Sequence, residues 1–312
     1  MFVDRRGTEP RRASHQRCEA VPPNPIVPTG ATGSPALVGH SAGQRRDPSS
    51  VLASSTFSTG LLLLPSDLQA DARRLYYLLR TVDDLVDEED PRAGQRVDAI
   101  ERWALGEKVD TPETRTLTDL SRRYTLSPRA VVEFCKGMRH DLTGEAIETE
   151  SDLELYCQDV GGTVGIMLAG LLGTSHPDGE TKMATLGAAM QWTNILRDID
   201  EDLAHGRVYI ARTTIERFGF PRPGAREELL RDQIARADAL YQEGLGAIPL
   251  LCNGRQAMGL SAVLYREILR QIERDGYGRK PGRAIVPAWR RRLLTAEHRL
   301  RYRPAARPRL RP

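Results

Sequence analysis

Apolar side chains recur every three or four positions through most of residues 51–290, which is the pattern of helices that bury one face. The alternating pattern of strands and the short turns of hairpins do not occur in this stretch. Interruptions rich in proline, glycine and serine divide it, as expected where helices end. They lie near Pro65-Ser66, Asp90-Pro91, Thr111-Pro112, Ser127-Pro128, residues 174–179, residues 220–224 and Asn253-Gly254. The pattern predicts an all-α fold in a single domain over residues 51–290.

The two ends of the chain lack this periodicity. Residues 1–50 are rich in proline, glycine, serine and arginine, and we expect a disordered extension there. Residues 291–312 are expected to form an arginine- and proline-rich tail, in which residues 304–312 repeat proline and arginine. Seven arginines and four acids lie in residues 1–50, and nine arginines and one acid lie in residues 290–312. Since the whole chain carries only +3, its middle is acidic, which suits a site that binds cations.

Other patterns exclude several classes of protein. The six histidines show no metal-binding spacing, so we expect no zinc site. No apolar run approaches the ~20 residues that cross a bilayer, and the most apolar run, residues 164–173, predicts a buried core helix. We see no secretory signal and expect a cytoplasmic protein. The arginine-rich ends are unspecific, so we expect no nucleic-acid function. The cysteines show no paired spacing and are interpreted as reduced thiols: Cys18, Cys135, Cys157 and Cys252.

Two pairs of aspartates give the strongest indication of chemistry. Asp83 and Asp87 form one pair, and Asp198 and Asp202 form the other. Residues four apart share a face of a helix, where like charges repel unless a cation lies between them. Mg²⁺ binds carboxylates together with phosphate oxygens of a substrate. Two such faces turned toward each other would form a metal cage, which indicates an enzyme that acts on diphosphates.

The first pair lies on a helix predicted at about residues 67–88. At about 100° per residue, Tyr76, Arg80, Asp83 and Asp87 fall in one stripe. Arg80 is one turn from Asp83 and could hold that carboxylate or bind a diphosphate with its planar guanidinium. An adjacent stripe is apolar and is expected to pack in the core: Leu75, Leu79, Val82 and Val86.

The second pair lies on a helix predicted at about residues 181–204. One stripe is polar, and its amide and carboxylate oxygens suit Mg²⁺: Gln191, Asn194, Asp198 and Asp202. The packing side is expected to carry Trp192, Ile195, Ile199 and Leu203. We expect Arg197 to point away from the polar stripe and to brace the helix or pair with an acid. Arg207 and Tyr209 follow the helix and are expected near the cage.

A single Asp-x-x-x-Asp pattern on a helix is usually a solvated surface. Here two copies occur, each has an arginine beside it, and each polar stripe extends over about three turns. Their combination favours a site over a solvated surface.

Four segments resemble, in order, the motifs of the squalene/phytoene synthase family. They are Ser-Ser-Thr-Phe-Ser with the following Leu-Leu-Pro at residues 54–65, the stripe region at 76–87, Tyr-Cys-Gln-Asp-Val-Gly-Gly-Thr-Val-Gly at 156–165, and residues 191–209. The last segment is the most specific, because it carries Gln-x-x-Asn-x-x-Arg-Asp-x-x-Glu-Asp followed by Gly-Arg-x-Tyr. The resemblance covers about residues 51–285.

The resemblance implies an isoprenoid-synthase-type helical bundle with a central active-site cavity. It implies Mg²⁺, or Mn²⁺ in its place, held by Asp83, Asp87, Asn194, Asp198 and Asp202. The catalytic residues it implies are those four aspartates with Tyr76 and Tyr156. The substrate-binding residues it implies are Arg80, Gln191, Asn194, Arg207, Tyr209 and Arg283. Tyr76, Tyr156 and Tyr209 would shield cations with their rings, although core packing would equally explain them.

The reaction implied is head-to-head condensation of two prenyl diphosphates. In the phytoene type, two geranylgeranyl diphosphates give phytoene through a cyclopropyl diphosphate. The alternatives are a presqualene diphosphate or squalene synthase that uses farnesyl diphosphate, a cyclase acting on one substrate, and a non-catalytic assembly factor of the same fold. We expect no obligate protein partner, and a greasy product suggests loose membrane association.

The chain departs from the family pattern at two places. Ser55 stands where the family often has a basic residue. Residues 277–280 replace the family's Tyr-Asp-Val-Phe segment. We expect Arg283 to act as the family's basic residue, displaced by one position, with Arg279 or Lys280 as alternatives.

Overall fold

The computed structural model describes residues 56–302, and every element in that range is helical. The first six helices are α1 (Thr56–Leu61), α2 (Ser66–Asp87), α3 (Ala93–Ala104), α4 (Pro112–Ser121), α5 (Pro128–Thr143) and α6 (Glu150–Cys157). A π turn (Gln158–Gly162) joins α6 to α7 (Thr163–Leu172), and α8 (Asp178–Ala204) and α9 (Arg212–Phe218) follow. The last are α10 (Glu227–Gly244), a 3₁₀ turn (Leu245–Leu250), α11 (Arg255–Arg274) and α12 (Ala288–Arg301). The predicted all-α class is confirmed. Ser55 lies outside the described residues.

Helix boundaries follow the local signals in the sequence. Ser127 caps α5, since its hydroxyl accepts the Ala130 amide at 3.2 Å and Pro128 occupies the first helical position. Thr111 and Thr149 form capping boxes at α4 and α6. The predicted helices at 67–88 and 181–204 differ from α2 and α8 by at most three residues at either end.

Helix α8 lies at the centre and packs against α7, α10 and α11. Its predicted packing side is buried at Trp192, Ile195 and Ile199, and Leu203 packs against the same core. The buried indole of Trp192 donates to Gln233 Oε1 at 3.1 Å. The predicted apolar stripe of α2 is buried as well: Leu75, Leu79, Val82 and Val86. Burial of both stripes leaves the neighbouring polar stripes free to form a site.

Residues Glu150–Leu172 form one long apolar helix, with the π turn inside it. By length and by its mean hydropathy of 1.3, it is the one helix among residues 56–302 that could span a membrane. The apolar run at residues 164–173, predicted as a buried core helix, forms its second half. Within the fold, 67% of the most apolar window is buried. Core packing therefore accounts for the hydropathy of this helix.

Three glycines let this helix approach α8 closely. A Cβ at Gly165 would lie 2.1 Å from the Met183 carbonyl oxygen, and one at Gly161 would lie 2.5 Å from that of Gly187. A Cβ at Gly187 would in turn lie 2.2 Å from the Gly161 oxygen. The backbones are thus in contact, and a side chain would force them apart.

Helix α12 continues past residue 290, where we had predicted the catalytic domain to end. Its His298 is buried, and Nε2 donates to the Gln256 carbonyl at 2.9 Å. The ring lies against Gly259 of α11, where a Cβ would be 2.9 Å from His298 Cε1. Part of the expected tail is therefore a packed helix.

Gly165→Ala should lower the free energy of unfolding by about 1–3 kcal/mol, because the added methyl group meets backbone that must shift. Gly94→Ala is the matched control, since no atom lies within 4 Å of its Cβ position and alanine favours helix. Urea unfolding followed by circular dichroism measures both. Equal midpoints for the two variants would contradict the close approach.

Candidate active site

A cavity of about 540 Å³ opens between α2, α7, α8 and α11. One part of its wall is polar and contains six residues expected in the site: Tyr76, Arg80, Asp83, Gln191, Asn194 and Arg283. The other part is apolar: Phe57, Leu79, Phe134, Val160, Val164, Leu168, Met183, Leu186, Met190, Met258, Leu264 and Ile268. The cavity therefore joins a charged end to an oily interior.

On α2, one guanidinium binds two carboxylates. Arg80 Nη1 lies 2.7 Å from Asp83 Oδ2, and Nη2 lies 2.7 Å from Asp84 Oδ1. The sequence predicted that Arg80 would hold the Asp83 carboxylate or bind a diphosphate, and the first of these contacts is present. Asp84 also lines the cavity, and we had not included it because it lies off the polar stripe.

On α8, two guanidinium groups meet at one carboxylate. Arg197 Nε and Nη2 donate to Asp198 at 2.8 and 2.5 Å, and Arg283 Nε lies 3.0 Å from Asp198 Oδ1. Arg197 lines the cavity, so the expectation that it points away was wrong, whereas its pairing with an acid is confirmed. Helical periodicity gives the direction of Cβ, and a long side chain can turn back toward the cavity.

Arg207 joins the two acidic motifs. Its Nη1 pairs with the Asp87 carboxylate at the end of α2, and Nη2 donates to the Val86 carbonyl at 3.2 Å. Arg207 itself follows directly on α8, and its backbone amide donates to the Asp202 carbonyl at 2.9 Å. The two pairs of aspartates are therefore neighbours in space, as the sequence predicted.

Burial and mutual repulsion raise the pKa of two of these carboxyls. Burial, with the charges of Asp198 and Asp87, raises the pKa of Asp202 to about 7. Burial raises the pKa of Asp83 to about 7 against the opposing charge of Arg80. The Asp83 side chain is 32% exposed, but it faces a cavity walled by protein, where water screens charge less than in bulk. A divalent cation would relieve this repulsion.

The oxygen donors of the site fit Mg²⁺. Asn194 Nδ2 donates to Gln191 Oε1 at 3.2 Å, while Asn194 Oδ1 is buried without a hydrogen-bond partner among residues 56–302. Within the same range, no three acidic, histidine or cysteine side chains are grouped closely enough to hold one ion. The structure thus has two carboxylate groups and not the single cage that we expected. Mg²⁺ commonly binds one or two carboxylates and completes its shell with phosphate oxygens.

Two tyrosines converge on a carboxylate that the sequence did not reveal. The hydroxyls of Tyr156 and Tyr209 each donate to Asp141 at 3.0 Å, and their rings stack 5.2 Å apart. Burial raises the pKa of both phenols well above the usual value, so both remain donors. The Asp141 charge also raises the pKa of Asp83, so this cluster lies within electrostatic reach of the first acidic motif.

Asp141 could have been found from its position on α5. It follows Phe134 and Met138 at the spacing of a packing stripe, where an apolar residue is the rule. An acid in that position indicates a buried polar contact. Tyr156, Tyr209 and Asp141 do not line the cavity described above, whereas Tyr76 does and stacks on Phe57 with centroids 5.5 Å apart.

The segment after α11 is anchored to the far side of α8. Asp200 accepts both Arg226 amino groups at 2.6 and 2.7 Å and the Gly282 amide at 2.7 Å. Arg226 is buried and lies against Gly278, which has φ +67° and where a Cβ would be 2.2 Å from Arg226 Nε. This anchor carries Arg283 to Asp198.

Arg283 is accordingly the basic residue of this segment that contacts the acidic motif. Lys280 lines a second cavity of about 300 Å³ behind the segment. Arg279 lies against Gly276 and does not line either cavity.

Comparisons with known proteins agree with this geometry. The squalene/phytoene synthase family profile matches residues 51–290. Phytoene synthase of Thermus thermophilus is 35% identical over 257 residues, which is 77% of this chain and 86% of that protein. The 15-cis-phytoene synthase of Synechococcus elongatus is 33% identical over 265 residues, covering 76% of this chain and 85% of that protein.

Solved structures give the same result. A dehydrosqualene synthase crystallised with a ligand superimposes with a TM-score of 0.73 at 28% identity, covering 81% of this chain and 94% of that one. A squalene synthase of Alicyclobacillus acidocaldarius superimposes with a TM-score of 0.63 at 28% identity, covering 71% of this chain and 89% of that one. The helical fold, the paired acidic motifs and these matches lead to one conclusion: the chain belongs to the squalene/phytoene synthase family, the head-to-head prenyltransferases.

Proposed function

We propose that this chain is a Mg²⁺-dependent phytoene synthase that condenses two molecules of geranylgeranyl diphosphate head to head. The observation that carries the proposal is the cavity, whose wall combines the charged side chains of Arg80, Asp83, Asp84, Arg197 and Arg283 with an apolar interior. Its polar end suits a diphosphate and its interior suits a prenyl chain. The two relatives named above as phytoene synthases support the C20 substrate. We place the enzyme in the cytoplasm, in contact with membranes.

Five residues supply the oxygen atoms that would hold Mg²⁺, with Mn²⁺ able to take its place: Asp83, Asp87, Asn194, Asp198 and Asp202. When bound, the ion neutralises charge on a departing diphosphate. The unpartnered Asn194 Oδ1 and the raised pKa of Asp83 and Asp202 support this assignment.

Arginines complete the diphosphate site. Arg80, Arg207 and Arg283 now hold carboxylates, and each guanidinium has the fork geometry that binds phosphate oxygens in pairs. A diphosphate would compete for these donors while the carboxylates turn to the metal. Gln191 lies beside Asn194 and orients its amide.

The apolar wall protects the cations that form once the first diphosphate has departed. The allylic cation is attacked by the C2–C3 double bond of the second substrate, one proton is lost, and a cyclopropyl diphosphate forms. Loss of the second diphosphate, ring rearrangement and loss of a proton then give phytoene. The wall excludes water, which would otherwise capture each cation. The ring of Tyr76 faces this space, and the Tyr156–Tyr209 pair presents its dipoles near Asp83.

A C15 reaction is the second candidate. The superposition on dehydrosqualene synthase and squalene synthase structures favours it, and so does the altered segment at residues 277–280. Both reactions would use the same charged end of the cavity, so the interior decides between them.

Asp202→Asn should have opposite effects on the stability of the metal-free protein and on its ability to bind metal. Removing a charge from beside Asp198 and Asp87 should raise the melting temperature in EDTA by a few degrees, since sites of this kind are maintained at the expense of stability. The rise that Mg²⁺ with pyrophosphate produces in wild type should disappear. Diphosphate release should fall on the order of 10²–10³-fold.

Differential scanning fluorimetry measures the first two effects. Asp110→Asn is the control, because Asp110 lies in an exposed ion pair with Arg115, between α3 and α4. It should retain the full response to Mg²⁺ with pyrophosphate. An unchanged response in Asp202→Asn would contradict the role of Asp202 in metal binding.

Product mass should identify the substrate. Purified protein given Mg²⁺ and geranylgeranyl diphosphate should yield a C40 hydrocarbon, and given farnesyl diphosphate it should yield little product. Gas chromatography with mass spectrometry measures the mass and the amount of the product in both incubations. A C30 product with no C40 product would replace the phytoene assignment with the C15 reaction.

The anchor at Asp200 should act through Arg283. Gly278→Ala should displace Arg226 and raise KM for the diphosphate by roughly 10-fold, the effect of one charged hydrogen bond. Arg283→Ala should do the same. The double variant should be no worse than either single variant, because both remove one interaction. If the increase in KM of the double variant equals the product of the two single increases, Gly278 and Arg283 act independently, which would contradict this role of the anchor.

A further inference from the structure

Helix α12 carries an apolar stripe that faces away from the body of the protein. Trp289, Leu293, Ala296 and Leu300 are spaced four, three and four residues apart, which keeps them within about 60° of one another around the helix. Trp289 is 65% exposed, Leu293 42% and Leu300 63%. A helix on a globular protein normally buries such a stripe.

The opposite face of α12 fixes this orientation. His298 is buried and donates to the Gln256 carbonyl, and Arg290 Nε lies 2.9 Å from Glu267 Oε1. Both partners belong to α11. The helix could turn its stripe inward only by breaking these contacts and exposing His298.

Arginines flank the stripe on both sides. Around the helix, Arg292 and Arg299 lie on one flank of the stripe, and Arg301 lies on the other. Arg292, Arg299 and Arg301 form no ion pair with any residue in 56–302. The helix contains a single acid, Glu297. The sequence adds four more arginines and no acid after residue 302.

This combination selects one kind of partner. A second copy would bring the two sets of arginines together, and a nucleic acid would leave the tryptophan and leucines unused. A bilayer with anionic headgroups meets both requirements, since the stripe enters the acyl boundary while the arginines remain at the phosphates. We propose that α12 docks the protein on an anionic phospholipid surface.

The surface lies beside the cavity. Ile285, Val286 and Arg291 line the cavity, and Ile285 is also 70% exposed, immediately before α12. Docking through the stripe would bring the exposed side chain of Ile285, four residues before Trp289 and at the edge of the cavity, close to the lipid. If the proposed function holds, the hydrocarbon product leaves into the bilayer without crossing water.

Vesicle flotation of the full chain tests the docking. Wild type should bind vesicles that contain phosphatidylglycerol and should bind pure phosphatidylcholine vesicles weakly, with the difference decreasing at high salt. Trp289→Ser and Leu300→Ser should each weaken binding by about 10-fold, because each removes an apolar side chain from the acyl boundary. Arg292→Gln with Arg299→Gln should weaken the preference for phosphatidylglycerol, and the arginines that remain should retain part of it.

Leu105→Ser is the matched control, since Leu105 is 67% exposed after α3 and should not affect binding. Equal binding by wild type and the stripe variants would overturn the proposal, as would equal binding to both kinds of vesicle. A dimer in sedimentation that Trp289→Ser dissociates would assign the stripe to a second copy and would also overturn it. Flotation uses no prenyl substrate, so lipid binding without product formation would contradict only the proposed function.

Discussion

Mutual repulsion among carboxylates that face one another is the constraint on which this site depends. Asp83 and Asp87 at the end of α2 lie near Asp198 and Asp202 at the end of α8, in surroundings where burial already disfavours charge. Arginines hold three of these acids: Arg80 pairs with Asp83, Arg207 pairs with Asp87, and Arg197 and Arg283 both pair with Asp198. Such a balance suits an enzyme that acts on diphosphates, because a bound metal ion would neutralise the acids and leave the arginines available to the phosphates.

The fold holds this balance in place through close contact of helices. The glycines of the Glu150–Leu172 helix bring its backbone against α8 at Gly187 and Met183, so α8 has little freedom to move away. On the other side of α8, Asp200 is bound by buried Arg226 and by the Gly282 amide. Helix α8 therefore presents Gln191, Asn194 and Arg197 to the cavity, while Asp200 on its opposite side holds the segment that carries Arg283.

The features predicted correctly from the sequence are those that depend on helical periodicity. The packing stripes of α2 and α8 and the convergence of the two acidic motifs follow from residues three and four apart sharing a face. Contacts between distant segments were not predicted. Examples are the hydrogen bonds that Tyr156 and Tyr209 donate to Asp141, and the pairing of Arg226 with Asp200. The direction of the Arg197 side chain was predicted wrongly, because a long side chain need not follow the direction of its Cβ. Helix α12 was not predicted, because its composition resembles that of a tail.

Calorimetric titration of inorganic pyrophosphate into the wild-type protein tests the central claim most directly. The account predicts tight binding in the presence of Mg²⁺ and weak binding in EDTA, because without the ion the arginines remain paired with the carboxylates. Equal affinity under the two conditions would contradict it, since the arginines alone would then suffice to hold the diphosphate.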